Sequence, residues 1–155
     1  MHKIISKSEN DTLRLAEKIG KRIFPGAIIL LAGDLGVGKT VFVKGLARGL
    51  SSKGLVNSPS YTIMNIYEGR LPLIHFDLYR ITDGDEFRAI GADEYLSGDN
   101  VCAVEWPEHA VDALGKNHLE VIIADLGGEM REITLKPKGK RHKKWLAGIK
   151  NDIDG

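Results

Sequence analysis

Residues 33–40 read Gly33-Asp34-Leu35-Gly36-Val37-Gly38-Lys39-Thr40, a match to the pattern G-x-x-x-x-G-K-[ST]. No other stretch constrains the fold as tightly, because this loop works only between a strand and a helix. Its glycines let backbone N–H groups turn inward around a phosphate. Lys39 is placed to reach β- and γ-phosphates, and the Thr40 hydroxyl to ligate the Mg²⁺ that bridges them. Asp34, Gly36, Val37, Gly38, Lys39, Thr40 and Val41 are the expected nucleotide contacts. The flanks agree with the pattern. Ala27–Ala32 is a short apolar run ending at the first glycine, and Val41, Phe42, Leu46, Ala47 and Leu50 recur at helical spacing. A helix beginning at the loop adds its partial positive charge to the site.

The rest of the chain alternates between the two periodicities. Residues 2–6 form a short strand candidate, and Ser8 with Asp11 caps a helix over about 9–22. Residues 61–67 and 71–78 read as strands joined across Glu68-Gly69-Arg70. An acidic stretch, Asp83-Gly84-Asp85-Glu86, opens a short helix, with its acids where the helix dipole favours them. Val101–Val104 is a buried strand ending at Glu105, and Pro107 suits the first turn of a following helix. Residues 118–125 and 130–136 pair as a second hairpin across Gly127-Gly128, and a last helix runs over about 140–150. The class is α/β: one P-loop NTPase-like domain over residues 1–155, with a mixed central sheet, β-hairpins and flanking helices. The length of 155 residues fits a single domain.

Hydrolysis or transfer of a nucleotide phosphate requires an acid at the end of a second buried strand to hold Mg²⁺. Two segments qualify, Leu73-Ile74-His75-Phe76-Asp77 and Val101-Cys102-Ala103-Val104-Glu105. The second is the cleaner apolar run and stops at once at Trp106-Pro107, so the pattern favours Glu105 for the metal. Asp77 is the alternative, and whichever acid does not hold the metal is left to orient water or act as a switch. Arg80 stands either to stabilise charge on the phosphate or to pair with the acidic run at 83–86. Asn57-Ser58-Pro59-Ser60-Tyr61-Thr62 is a hydroxyl-rich loop of the kind that senses a γ-phosphate, or an ordinary turn feeding a strand.

Charge is unevenly distributed. The formal net charge is +1, yet residues 136–150 carry seven Lys/Arg and no acid. This basic tail, with Trp145, reads either as a surface for nucleic acid or an acidic partner, or as a solvated helix whose Trp145, Leu146 and Ile149 pack on the domain. The single cysteine, Cys102, excludes an internal disulfide and reads as a small buried hydrophobe. No His/Cys spacing suggests zinc. With no long apolar stretch and no signal-peptide pattern, the expectation is an intracellular, cytoplasmic protein without membrane contact.

Taken together, the phosphate loop, Ser58-Pro59-Ser60-Tyr61-Thr62, His75-Phe76-Asp77-Leu78-Tyr79-Arg80 and Glu105-Trp106-Pro107-Glu108 resemble the TsaE (YjeE) family of small bacterial ATPases, over roughly residues 5–145. The H-x-D-L-Y-R and E-W-P blocks are far more specific than the phosphate loop. Val37, Ser60 and Tyr61 depart from the usual Ala, Thr and Phe without removing a required group. The resemblance implies ATP/ADP and Mg²⁺ as ligands, and a part in making threonylcarbamoyladenosine in tRNA. It implies that ATP hydrolysis resets a threonylcarbamoyl transferase subunit and its paralogue, with tRNA met indirectly or through the basic tail. By motif, Lys39 and the loop amides hold phosphates, and Thr40 and Glu105 hold Mg²⁺. Asp77 is a catalytic or switch acid, Trp106 lies beside the site, and the helix around Thr12 lies near the adenine. Two other functions stay open: a small-molecule kinase using Asp77 or Glu105 as base, and a non-enzymatic nucleotide-sensing or RNA-associated module. The absence of an N-K-x-D element is mild support for adenine over guanine.

Overall fold

The computed structural model describes residues 1–54 and 63–154. The hydroxyl-rich Ser58–Thr62 motif therefore lies outside the described residues. Strand β1 (His2–Ser6) leads into helix α1 (Glu9–Arg22), β2 (Ile28–Ala32) into α2 (Lys39–Gly49), and β3 (Met64–Tyr67) into β4 (Leu73–Asp77). Two short helices follow, α3 (Gly84–Ala89) and α4 (Ala92–Leu96), then β5 (Val101–Glu105) and a 3₁₀ segment, Pro107–Ala113. The chain closes with β6 (His118–Gly127), β7 (Met130–Lys138) and α5 (Lys140–Asp154). The last helix runs a turn longer than the 140–150 read from the sequence. Its final turn is held by Ile153, which is buried and continues the row of His142, Leu146 and Ile149. The short α4 has no counterpart in the sequence reading.

The seven strands form one mixed sheet in the order β1-β7-β6-β2-β5-β4-β3. The central four, β6, β2, β5 and β4, are parallel. The two hairpins are the expected ones: β3 pairs antiparallel with β4, and β6 with β7. What the sequence pattern did not reveal is that β4 also pairs in parallel with β5, so that Asp77 lies opposite Glu105. The two candidate acids end neighbouring strands on the same edge of the sheet.

Strand alternation divides the buried residues into two layers. Ile29, Leu31, Leu73, Val101 and Ala103 face a core built with α1, α2 and α5. Ile28, Leu30, Ile74, Phe76, Cys102 and Val104 face the other side, against Phe87, Ala92 and Ala110. By the same alternation His75, Asp77 and Glu105 belong to the first face, the one covered by the helix that follows the phosphate loop.

Two local devices fix that helix. At the start of α1 the Ser8 hydroxyl accepts the Asp11 N–H at 3.1 Å while the Asp11 carboxylate accepts the Lys7 N–H at 2.9 Å, a reciprocal cap. Helix α1 then crosses α2 almost backbone to backbone. A Cβ at Gly45 would come within 2.5 Å of both the Ala16 Cβ and the Leu13 carbonyl oxygen, so only glycine admits this approach. The first turn of α2, with Lys39 and Thr40, is thereby anchored from behind by the α1–α2 contact.

Candidate nucleotide site

The loop between β2 and α2 takes the form its sequence requires. Gly36 and Gly38 have φ of 77° and 119°, and a Cβ at either would meet no protein atom within 4 Å. Backbone conformation, not packing, calls for glycine at these two positions. Gly38 is the residue before α2, so the N–H groups of the first helical turn open onto the loop. Asp34 is exposed, Val37 buried and Thr40 half-buried.

Lys39 is 4% exposed. Its ammonium donates to the Gly33 carbonyl oxygen at 2.7 Å and lies 3.5 Å from the centre of the Trp106 ring. Burial pulls its pKa below the usual lysine value, opposed by the negative charges of Glu105, Glu108, Asp77 and Asp34. A cation held in a dry place by four surrounding acids and an aromatic face is suited to an anionic ligand, because water competes little for it.

Trp106 occupies a left-handed conformation, φ 58° and ψ 50°, which non-glycine residues rarely adopt. The strain lies between Glu105 and Pro107, where the chain turns off β5 into the 3₁₀ segment. It aims the indole across Lys39, with Tyr79 packed at 5.0 Å and His109 at 5.9 Å between ring centres. His109 Nδ1 lies 2.7 Å from the Leu78 carbonyl oxygen, joining this segment to the end of β4.

Glu105 is 4% exposed, and its Oε2 lies 2.5 Å from Nε2 of the fully buried His75. Asp77 is half-buried. Its carboxylate accepts the Tyr79 N–H at 3.0 Å, yet burial raises its pKa, with Glu105 adding to the rise and His75 and Lys39 opposing it. Arg80 is exposed and makes neither a hydrogen bond nor an ion pair with any described residue, so of its two readings the pairing with the acidic run at 83–86 is not seen. That run caps its own helix instead, with Asp83 accepting the Glu86 N–H at 2.9 Å, while Arg88 pairs with Asp85 and Asp112.

A cleft of about 130 Å³ opens beside the loop, lined by Thr12, Val37, Val41, Glu9, Glu129 and Arg131 among others. It places Thr12 beside Val37 and Val41 of the phosphate loop and its helix. The Thr12 hydroxyl is spent internally. Ser6 Oγ donates to the Ser8 carbonyl oxygen at 2.8 Å, so the 2.7 Å contact between Ser6 and Thr12 is donated by Thr12. Thr12 thus offers the cleft its methyl group or a lone pair. Arg131 escaped the sequence reading. From β7 its Nε donates to the Val37 carbonyl oxygen at 2.9 Å, while another nitrogen binds Asp125, Gly128 and Met130 of the β6–β7 turn. The turn is tied to the phosphate loop by this one side chain. An arginine in an alternating strand carries no sequence signal for such a role.

A family model described as threonylcarbamoyl adenosine biosynthesis protein TsaE matches residues 6–133. The chain belongs to the TsaE family. It is 44% identical over 119 residues to the Bacillus subtilis tRNA threonylcarbamoyladenosine biosynthesis protein TsaE, covering 76% of this chain and 74% of that one. To the Treponema pallidum protein of the same description it is 38% identical over 131 residues, covering 84% and 97%. A crystal structure of Bacillus subtilis YdiB matches with a TM-score of 0.87 at 34% identity, over 99% of this chain and 96% of that one. The TsaE-like architecture is a P-loop NTPase-like fold. Among the described residues of this TsaE-family chain, no helix is long and apolar enough to cross a membrane.

Proposed function

We propose that this protein binds and hydrolyses ATP with Mg²⁺ in support of tRNA threonylcarbamoyladenosine biosynthesis, resetting a partner transferase complex without itself transferring the group. Membership of the TsaE family supports the pathway. The observation that carries the chemistry is the convergence of a buried Lys39, a buried Glu105 and a raised Asp77 on one edge of the sheet beside the glycine loop.

The residues suit the proposed metal. Mg²⁺ takes hard oxygen donors and keeps much of its shell as water and substrate phosphate. Thr40 and Glu105 supply a hydroxyl and a carboxylate, and among the described residues no group of three His, Cys, Asp or Glu side chains forms a protein-only cage. Thr40 and Glu105 would hold the ion, which when bound would supply positive charge against the nucleotide phosphates. The loop amides and Lys39 position the same phosphates, and Trp106 shields Lys39 from water. Asp77, with its pKa raised, is placed to orient or deprotonate the attacking water. The cleft at Thr12, Val37 and Val41 receives the adenine side.

The reset role is tested by measuring ATP turnover of the purified protein alone and with the transferase subunit and its paralogue. Slow turnover that rises on adding the pair supports the reading. Turnover indifferent to the pair removes the reset role and leaves a free-standing nucleotide hydrolase.

A further inference from the structure

Inside the apolar layer beneath α2, one imidazole is out of place. His75 is fully buried between Leu73 and Asp77 on the first face of β4, the face that carries the aliphatic core. Its Nδ1 has no hydrogen-bond partner among the described residues, a cost that a leucine of similar size would not incur. Its hydrogen-bond contact among the described residues is Nε2 to Glu105 Oε2 at 2.5 Å.

The register explains how the contact forms. His75 lies directly opposite Ala103 on β5, and Ala103 is small and fully buried. The imidazole passes over this short side chain and reaches Glu105, two residues further along the same face. The carboxylate can only accept, so Nε2–H is the donor of this contact. The other carboxylate oxygen, Oε1, accepts from no described residue.

We propose that His75 is a positioning residue for Glu105: it holds Oε2, fixes the carboxylate rotamer, and so presents Oε1 as the oxygen that a divalent cation takes beside Thr40. The proposal rests on the Mg²⁺–nucleotide reading of the site given above. It assigns the buried histidine a task in metal binding, and none in phosphate or base contact. A carboxylate able to rotate between two directions binds the cation in only a fraction of its conformers, so orientation is read directly as metal affinity.

The test is Mn²⁺ affinity of the ADP-bound protein by electron paramagnetic resonance, with Mn²⁺ standing for Mg²⁺. It is read alongside ADP affinity in EDTA and the melting temperature. His75→Leu keeps bulk and removes the donor; His75→Gln returns an N–H of similar reach. The expected result is Mn²⁺ binding weakened about 10-fold in His75→Leu and partly restored in His75→Gln, with ADP affinity in EDTA unchanged. In a Glu105→Gln background, His75→Leu is expected to cause no further loss, since it acts through that carboxylate. If His75→Leu folds poorly, the comparison of His75→Gln in the two Glu105 backgrounds carries the same test. Wild-type Mn²⁺ affinity in His75→Leu together with weakened affinity in Glu105→Gln would overturn the positioning role while leaving the metal site standing. Wild-type Mn²⁺ affinity in Glu105→Gln would instead overturn the metal reading and the proposal with it.

Discussion

His75 and His142 are both buried imidazoles whose Nδ1 has no partner among the described residues, and they belong to opposite ends of the parallel strands. At the start of β2, His142 Nε2 accepts the Ile28 N–H at 3.2 Å, serving a backbone group that burial would otherwise leave unsatisfied. Towards the end of β4, His75 meets the Glu105 carboxylate. The first histidine satisfies a backbone group; the second meets an acid at the candidate site. The same contrast runs through the surroundings. Phe24 packs edge-on against His142 and Trp145 edge-on against Phe24, with Trp145 donating to the Arg22 carbonyl oxygen at 2.8 Å. Around Glu105, the partner of His75, lie a buried lysine, the neighbouring strand's Asp77 with its raised pKa, and the adjoining tryptophan in a left-handed conformation. At the end with Lys39, Glu105 and Asp77, buried or raised ionisable groups and a left-handed tryptophan gather around the phosphate loop, as is expected where function is set against stability.

The largest effect that would sharpen this contrast is at Lys39. Lys39→Ala removes the charge aimed at the phosphates and is expected to lower ATP turnover by on the order of 10²–10³. Its melting temperature should hold or rise, because a desolvated cation is lost. Wild-type turnover in this variant would end the phosphate-loop argument.

At the other end the effects fall on stability. Burial, helped by the nearby His118 and Arg141, pushes the His142 pKa down from 6.5 to about 4. Below pH 6.5 the unfolded chain takes up a proton that the folded chain refuses. Stability therefore falls as pH drops from about 6.5 to about 4, by about 3 kcal/mol at most, and is flat in this term above that window. His118, lowered by burial and Lys138, acts in the same direction. Denaturant unfolding across pH 4–7 should show the slope in wild type and a shallower one in His142→Phe. The same variant should lose about 1–3 kcal/mol at pH 7, because the Ile28 N–H loses its acceptor, yet keep its turnover per folded molecule. A variant that stays stable but loses turnover would collapse the distinction between the two ends.

The smallest effect is expected from the basic surface. Helix α5 buries Leu146, Ile149 and Ile153, so the packing role of the tail is met, and removing residues 138–155 would uncover core. Lys140, Lys143 and Lys144 remain exposed. Reversing all three to glutamate should change stability by no more than about 0.5 kcal/mol and leave turnover alone. Affinity for tRNA or the transferase complex, measured at low and high salt, decides whether these cations dock anything. A salt-sensitive loss assigns them that role, and unchanged affinity leaves α5 as a packing helix.

Much of this was legible in the chain. The phosphate loop carries its own punctuation, and its helix and strand carry two different periods, so both were placed nearly to the residue. Glu105 and Asp77 were recognisable as strand-end acids because apolar runs stop at them. Their pairing was not, since β4 reads equally well as an outer hairpin arm, and only the parallel register with β5 sets the two carboxylates side by side. The His75–Glu105 contact depends on that register and on the small Ala103 between them, neither of which has a local signature. Arg131 and the cleft beside Thr12 bring together β7, α1 and the loop across 94 residues of sequence between Arg131 and Val37. Contacts of that range are set by how layers stack, and a periodic pattern records only which face is buried.

Glu105→Gln tests the central claim most directly, because it keeps the shape of a buried side chain and removes the charge that the proposed metal needs. Mg²⁺-dependent ATP turnover should fall by about 100-fold, while ADP affinity measured in EDTA stays at the wild-type value. Wild-type Mg²⁺-dependent turnover in Glu105→Gln, with the metal dependence lost instead in Asp77→Asn, would contradict the account and transfer the metal to the neighbouring strand.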